Sequence, residues 1–218
     1  MTKKAFIFDL DGVIVDTARF HFIAWRDLAA SLGIEFTHHD NEQLKGVSRV
    51  GSLQAILKLG HKTVSEDEFQ ALMDRKNEHY LELIGSLNHA DMLPGVAEFL
   101  NELTLRKLPV ALGSASKNAR PILNKLGVTN QFHAIVDGTD VTNPKPDPEV
   151  FLQGAAALNA HATDCIVFED SIKGVQAANT AGMYSIGIGD ATELSAADEV
   201  FTDFSAFPSD MIDQLLQR

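Results

Sequence analysis

The chain of 218 residues contains a single cysteine, Cys165, so it cannot form an internal disulfide. Cys165 begins the apolar run of residues 165–168, a setting that favours a small buried side chain over a redox or metal-binding role. No apolar stretch approaches the roughly 20 residues of a membrane-spanning helix. The first residues lead into a strand pattern rather than a cleavable signal. We therefore expect a cytoplasmic protein with no membrane partner.

Basic residues are also scarce. Lysine and arginine total 18 against 30 aspartates and glutamates, which gives a formal net charge of −12. Nucleic acids and anionic membranes are bound by basic surfaces, so this balance argues against both as partners. An anionic substrate would have to be held by cations placed locally.

The second part of the chain predicts an α/β fold. From about residue 93 onward, short apolar β-branched runs alternate with amphipathic segments, as in βα units around a mostly parallel sheet. Together with the first apolar run, this pattern predicts about six strands. They lie at residues 4–8, 109–113, 134–136, 165–168, 184–188 and 199–201.

Residues 17–92 have a different pattern, with three or four amphipathic helical segments and no convincing strand. A segment of this length is too long for a crossover loop between the first two strands. We therefore expect a helical cap domain at 17–92, inserted after the first strand into a core domain of residues 1–16 and 93–218. A domain joined by two chain segments can hinge like a lid.

Two acids, Asp9 and Asp11, follow the first predicted strand, and Gly12 then lets the backbone turn away. Side chains alternate along an extended chain, which places both carboxylates on one side and Leu10 on the other. In open α/β sheets, ligands bind beyond the carboxyl ends of the strands. Taken alone, the pair could equally be an ordinary turn in which aspartate bonds its own backbone.

The segment Ser114-Ala115-Ser116-Lys117-Asn118 follows the predicted strand 109–113 and opens a helical pattern. Free N–H groups and hydroxyls at a helix N-terminus favour an anion. The alternative is that Ser114 or Ser116 only caps the helix.

Lys145 stands between Pro144 and Pro146, which hold the local backbone extended. A lysine that contacts a phosphoryl group or neutralises acids would gain from such a rigid mount. The alternative is a solvated loop.

Glu169 and Asp170 directly follow the predicted strand 165–168. Beside Asp9 and Asp11 they would concentrate four carboxylates, which repel one another unless a cation is present. Hard oxygen ligands of this kind suit Mg²⁺. In the alternative interpretation, Asp170 only caps the next helix.

These four motifs, taken in order, resemble those of the haloacid dehalogenase superfamily of phosphotransferases. The resemblance covers nearly the whole chain and implies a Rossmann-like, mostly parallel core with an inserted helical cap. It implies that Asp9 attacks the phosphoryl group to form an aspartyl phosphate. Asp11 would be the general acid and base, and Ser114 and Lys145 would complete the catalytic set.

The same resemblance implies a Mg²⁺ site formed by Asp9, Asp11, Glu169 and Asp170. Direct ligation by its side chain would lower the pKa of Asp11, which must be protonated at one stage of the reaction. We therefore expect Asp11 to meet the metal only through its backbone carbonyl.

The cap segment is similar to that of superfamily members that move a phosphoryl group between two positions of a sugar. That similarity implies that Arg49 binds the distal phosphate of the substrate, and that Thr17 and His21 engage Asp11. Trp25 is included in the implied sugar site, although an aromatic side chain there also suits the cap core. The implied substrate-binding residues are Trp25, Lys45, Gly46, Val47, Ser48, Arg49, Ser52, Lys76, Ser114, Ala115, Ser116 and Asn118.

The resemblance therefore implies interconversion of β-glucose 1-phosphate and glucose 6-phosphate through an aspartyl phosphate and β-glucose 1,6-bisphosphate. A sugar-phosphate phosphatase, with water as the acceptor, is the main alternative. A non-catalytic binding protein is a third, disfavoured because every acid that the chemistry needs is present. We expect a monomer, because that state leaves the cap free to move.

Overall fold

A computed structural model describes residues 4–44 and 47–218. The chain forms two compact units, divided after Asp16 and again between Leu87 and Asn88. We call the unit of residues 17–87 the cap domain and the other unit the core domain. The second boundary thus falls a few residues before the predicted position at 92. Met92, a few residues beyond this boundary, bridges to Val15 within the core domain.

The core domain contains one six-stranded sheet in which every pairing is parallel. This confirms the predicted α/β class. The strands are β1 (Ala5–Phe8), β2 (Val110–Gly113), β3 (Ala134–Val136), β4 (Cys165–Glu169), β5 (Tyr184–Ile188) and β6 (Glu199–Phe201). Their order across the sheet is β3-β2-β1-β4-β5-β6.

The strand register brings three chain segments to one edge of the sheet. Phe8, the last residue of β1, pairs with Leu112 of β2 on one side and with Phe168 of β4 on the other. All three strands therefore end at about the same level. The residues that follow them emerge together at the carboxyl edge, where α/β proteins bind their ligands.

The cap domain is helical over its described residues. Its helices are α1 (Ala18–Ser31), α2 (His38–Glu42), α3 (Arg49–Leu59) and α4 (Glu66–Leu83). The start of α4 illustrates why they form. The Ser65 hydroxyl accepts a hydrogen bond from the Glu68 N–H, and three acids in the first turn complement the helix dipole.

The core domain adds the helices that cover the sheet. They are α5 (Val96–Leu105), α6 (Ala119–Leu126), α7 (Glu149–Ala157), α8 (Ile172–Thr180) and α9 (Met211–Leu216). None of the helices in the described part of the chain combines the length and apolar character that a membrane crossing needs.

Phenylalanine rings fill the core on one face of the sheet. The rings of Phe8 and Phe168 stack with centroids 4.6 Å apart, and Phe99 of α5 meets Phe168 edge-on at 5.4 Å. Phe204 packs against both Phe99 and Phe168. Aromatic pairs in these geometries stabilise a core beyond their buried area. The ends of β1 and β4 are therefore fixed by close packing.

Gly95, which precedes α5, supports this packing through its lack of a side chain. Its φ is +80°, and a Cβ atom there would lie 2.6 Å from the Phe204 carbonyl carbon and from the Ser205 nitrogen. Gly127 has a similar φ of +74°, but a Cβ there would meet nothing within 4 Å. The two glycines thus share a left-handed backbone conformation and differ in crowding.

We predict that Gly95→Ala destabilises the protein more than Gly127→Ala. Both variants lose about 1–2 kcal/mol because alanine disfavours the left-handed conformation. Gly95→Ala loses a further 1–3 kcal/mol or so because the new methyl group overpacks the core. Urea denaturation followed by circular dichroism measures both values. Equal losses would contradict the crowding at Gly95.

Candidate active site

Lys145 bridges two acids at the carboxyl edge of the sheet. Asp9 directly follows β1, and Glu169 is the last residue of β4. The Lys145 Nζ donates hydrogen bonds to Asp9 Oδ1 at 2.5 Å and to Glu169 Oε2 at 2.7 Å. All three side chains are buried. Lys145 is therefore a buried cation between two acids and not the solvated loop residue of the alternative interpretation.

Glu169 is held through its second oxygen as well. Its Oε1 accepts hydrogen bonds from the N–H of Asp170, the N–H of Ser171 and the Ser171 hydroxyl, the last at 2.7 Å. Its side chain lies against Gly174 of α8, where any Cβ atom would overlap it. The orientation of this carboxylate is thus fixed by bonding on both oxygens and by limited space.

Asp170 lies against the turn that follows β1. Gly12 has a φ of +80°, and a Cβ atom there would overlap the Asp170 carboxylate. Helix α8 is capped by the next residue, Ser171, whose hydroxyl accepts from the Gly174 N–H. Asp170 is thus not the side chain that caps this helix, and its carboxylate joins the acids at the sheet edge.

Among the described residues, carboxylate oxygens of Asp9, Glu169 and Asp170 lie within 4.8 Å of one another and could together hold a metal ion. Three hard oxygen donors of this kind fit a divalent cation. The side chain of Asp11 is not one of the converging groups. That Asp11 contributes its backbone carbonyl remains a prediction.

The electrostatics of the cluster show an excess of negative charge. Burial raises the pKa of Asp9 to about 7, against the opposing effect of Lys145, and Glu169 and Asp11 raise it further. Burial also raises the pKa of Asp170 well above its ordinary value, and Glu169 and Asp9 add to that shift. Burial acts to lower the pKa of Lys145, but the charges of Asp9 and Glu169 outweigh it, and the pKa rises. A further cation would relieve the repulsion that Lys145 leaves uncompensated.

The loop of residues 114–118 connects β2 to α6 at the same edge of the sheet. Ser114 is buried, its N–H donates to the Val136 carbonyl, and its hydroxyl accepts from the Ser116 N–H at 3.0 Å. The Ser116 hydroxyl accepts in turn from the N–H of Asn118, which precedes α6. The two serines therefore shape the loop and do not directly cap the helix. Each hydroxyl keeps a proton that it can donate.

In the cap domain, the buried Lys76 contacts the half-buried His21. Lys76 interrupts the apolar stripe of α4, yet its side chain is buried, and its Nζ lies 2.9 Å from Nδ1 of His21. Burial lowers the pKa of His21 well below its ordinary value, and the charges of Lys76 and Arg49 lower it further. His21 is thus neutral near pH 7, with Nδ1 as the acceptor for Lys76 and Nε2 carrying the proton.

Aromatic rings surround the Lys76 ammonium. It lies 4.7 Å from the ring centroids of both Trp25 and Tyr80, a distance typical of cation–π contacts. Trp25 itself is buried in the cap core together with Leu28 and Leu53. The structure thus places Trp25 in the core, as the alternative interpretation of this residue expects.

The other predicted cap residues lie at the start of α3 or just before α1, and two of them are not among the described residues. Arg49 donates to Asn77 Oδ1 at 2.8 Å, and the Ser48 hydroxyl caps α3 by accepting from the Gly51 N–H. Ser52 and Thr17 are buried. The structure describes Val47 but not Lys45 and Gly46, which lie outside the described residues.

Three residues of these clusters were not predicted from the sequence, namely Ser171, Gly174 and Asn77. Serine before a helical pattern, with glycine three positions later, is a recognisable capping signal. It does not show that the same hydroxyl also binds Glu169. Asn77 lies 28 positions from Arg49, and nothing local in the sequence connects them.

The sheet, the inserted helical domain and the lysine-bridged acids together define a Rossmann-like α/β protein with a cation-binding acidic centre. A family model of the haloacid dehalogenase-like hydrolases matches residues 3–182. The chain therefore belongs to the haloacid dehalogenase-like hydrolase family. Membership implies a divalent metal, and the Asp9, Glu169 and Asp170 carboxylates fit one.

Individual relatives include mutases and phosphatases. The chain is 44% identical to a β-phosphoglucomutase of Bacillus subtilis over 90% of its own length and 88% of that protein. It is 32% identical to the fructose-1-phosphate phosphatase YqaB of Escherichia coli, over 84% of this chain and 94% of that one. The crystal structure of a β-phosphoglucomutase from Clostridium difficile aligns with a TM-score of 0.92 and 40% identity, covering 99% of this chain and 97% of that one.

We predict that Gly174→Ala weakens the binding of divalent metal. The new methyl group displaces the Glu169 carboxylate that it would overlap. Moving a group that orients metal ligands typically costs about 10–100-fold in affinity. Isothermal titration calorimetry with Mg²⁺ measures the change.

Gly154→Ala in α7 is the matched control, because a Cβ atom there meets only ordinary contacts of 3.6 Å or more. It should leave the metal affinity unchanged. If both variants bind Mg²⁺ like the parent protein, the crowding of Glu169 by Gly174 has no role at this centre.

Proposed function

We propose that the chain is a β-phosphoglucomutase, which interconverts β-glucose 1-phosphate and glucose 6-phosphate. The observation that carries this proposal is the 44% identity to the Bacillus subtilis β-phosphoglucomutase, which extends over 90% of the chain and so includes most of the cap domain. The core domain supplies acids and a lysine suited to phosphoryl transfer. The proposed route passes through an aspartyl phosphate and β-glucose 1,6-bisphosphate.

Asp9 is the proposed nucleophile. Its carboxylate oxygen forms a bond to phosphorus while the bond from phosphorus to the donor oxygen breaks. Lys145, bonded to Asp9 at 2.5 Å, favours the ionised form of this carboxylate and offsets its repulsion from the incoming phosphate. Burial of the pair keeps this attraction strong.

Asp11 is the proposed general acid and base. It would give a proton to the leaving sugar oxygen as Asp9 becomes phosphorylated. It would then take a proton from the sugar hydroxyl that attacks the aspartyl phosphate, so its protonation state is restored over the cycle. Thr17 and His21 remain predicted as the residues that act on Asp11.

The 114–118 loop is the proposed support of the transferring phosphoryl group. The hydroxyls of Ser114 and Ser116 retain donor capacity, and the loop leads into the N-terminus of α6. Donors aimed at the developing charge lower the barrier of phosphoryl transfer.

We propose Mg²⁺ as the divalent metal, held by the side chains of Asp9, Glu169 and Asp170 and the backbone carbonyl of Asp11. When bound, Mg²⁺ neutralises charge on the phosphate oxygens as the phosphoryl group transfers. It would also relieve the carboxylate repulsion that adds to the effect of burial in raising the pKa of Asp9 and Asp170.

Arg49 is the proposed ligand of the distal phosphate, and the other predicted cap residues would line the sugar site. The hydrogen bond from Arg49 to Asn77 restrains the guanidinium and reduces the entropy lost on binding. A planar guanidinium can bind a phosphate through two parallel hydrogen bonds.

A sugar-phosphate phosphatase is the second candidate, favoured by the likeness to the Escherichia coli fructose-1-phosphate phosphatase over 94% of that protein. The same Asp9 and Asp11 chemistry would serve it, with water in place of the sugar hydroxyl. The two candidates differ only in the acceptor, so they are separated by their products.

We predict that the protein converts β-glucose 1-phosphate to glucose 6-phosphate when it is supplied with Mg²⁺ and a trace of β-glucose 1,6-bisphosphate. Phosphorus NMR follows the products. Inorganic phosphate alone would support the phosphatase, and an absence of turnover would contradict both enzymes. In the same assay Asp9→Asn should abolish turnover, while Asp210→Asn, an exposed acid in the core domain, should not.

We predict that Arg49→Ala raises the KM for β-glucose 1,6-bisphosphate by about 10–100-fold, as expected for loss of a charged hydrogen bond. Steady-state kinetics at varied bisphosphate concentration measure this. Arg26→Ala is the control, because Arg26 is an exposed cap arginine paired with its neighbour Asp27. An unchanged KM in Arg49→Ala would remove Arg49 from the phosphate site.

A further inference from the structure

Arg120, in the first turn of α6, binds β3 and the chain segment that follows it. Its Nη2 donates to the Ile135 carbonyl at 2.9 Å and to Asp140 Oδ2 at 3.1 Å. Its Nε lies 3.1 Å from Asp137 Oδ2. One guanidinium thus ties the start of α6 to three points within residues 135–140.

We propose that Arg120 is a positioning residue, which holds the 114–118 loop in place by fixing the segment of residues 135–140 against it. This inference rests on the proposed function, since that function gives the loop its role in binding the phosphoryl group. Arg120 itself touches no residue placed in the catalytic set.

The segment fixed by Arg120 has its own internal bonds. The Asp137 side chain is only 3% exposed, and its Oδ1 accepts from both the N–H and the hydroxyl of Thr139. Asp140 Oδ2 accepts from the Asp137 N–H as well as from Arg120. Arg120 therefore completes a network in which two carboxylates and a carbonyl are already ordered, so little further entropy is lost.

The same segment contacts the 114–118 loop directly. The Gly138 N–H donates to the Ser116 carbonyl at 3.2 Å, and the Ser114 N–H donates to the Val136 carbonyl at 3.0 Å. A Cβ atom at Gly138 would overlap the carbonyl of Ala115, so the two backbones touch. Movement of residues 136–138 would therefore move the loop.

The 114–118 loop is thus connected to residues 135–140 in two ways. At its start and middle it is bonded to Val136 and Gly138, and immediately after its end Arg120 returns to the same segment. Small displacements of positioned groups cost large factors in rate or binding. Exposed ion pairs usually contribute little to the free energy of unfolding. At this position the ion pairs of Arg120 would instead affect the binding of the phosphoryl group.

Arg106 provides a matched comparison within the same domain. It is also an arginine bonded to two carboxylates, those of Glu102 and Asp213. These lie on α5 and α9 and have no bond to the 114–118 loop. Arg106→Ala therefore removes a similar ion pair without releasing this loop.

The test compares Arg120→Ala, Arg120→Lys and Arg106→Ala by two measurements. Hydrogen exchange of the Ser116 and Gly138 amides, followed by NMR, reports the loop directly. Steady-state kinetics report the KM and kcat for β-glucose 1-phosphate. Arg120→Lys keeps the positive charge without the planar fork and serves if Arg120→Ala fails to fold.

We expect Arg120→Ala to accelerate exchange at both amides about tenfold or more and to raise KM by a similar factor, with a smaller change in kcat. Arg120→Lys should show smaller changes in the same direction, and Arg106→Ala none. Unchanged exchange in both Arg120 variants, or equal changes in Arg106→Ala, would overturn the proposal.

Failure of the proposed function is distinguishable from failure of this inference. If the parent protein forms no glucose 6-phosphate, the mutase proposal is wrong. The positioning role is then judged from amide exchange and from the affinity for inorganic phosphate, measured by titration in the presence of Mg²⁺. Faster exchange together with weaker phosphate binding in Arg120→Ala would still support it, and unchanged values would overturn it.

Discussion

Repulsion among buried carboxylates is the constraint on which the architecture of this centre depends. Parallel pairing of β1 with β4 delivers Asp9 and Glu169 to adjacent positions, and Asp170 follows at once. Burial raises the pKa of both Asp9 and Asp170, and the neighbouring carboxylates raise it further, because like charges at such distances in a water-poor setting are costly. Lys145 offsets part of it, and the missing side chains of Gly12 and Gly174 provide the room.

The strands of the core domain could be predicted closely from the sequence, because short apolar runs between helical patterns leave few alternatives. Three of the six predicted strands, β1, β2 and β4, differ from the structure by one residue at one end, and the predictions for β3, β5 and β6 coincide with it. Strand β4 continues one residue further than predicted, to Glu169. A charged carboxylate is usually excluded from a buried strand, but the charge of Glu169 is compensated by Lys145. The rule that strand ends share one edge then located Asp9, Ser114 and Glu169 together.

Contacts between residues far apart in the chain could not be predicted. Lys76 stands out in the apolar stripe of α4, but its partner His21 lies 55 positions away. The Ser171 hydroxyl also donates to Glu169, and this bond depends on the orientation of the Glu169 side chain. A sequence pattern that indicates a helix cap does not predict that orientation. The bridge between Met92 and Val15, 77 positions apart, is another contact that no local pattern indicates. The local sequence pattern predicts helices and strands, whereas contacts between them depend on how they pack in the fold.

The stacked rings of Phe8 and Phe168 stand one residue before Asp9 and Glu169 and point to the opposite face of the sheet. The spacing of the two acids is therefore coupled to the packing of a hydrophobic layer on the other face of the sheet. Residues that stabilise the core and residues of the acidic cluster are therefore direct neighbours in the chain, so a change in one affects the other. A change in ring volume at either phenylalanine would be transmitted to Asp9 or Glu169 through a single peptide unit.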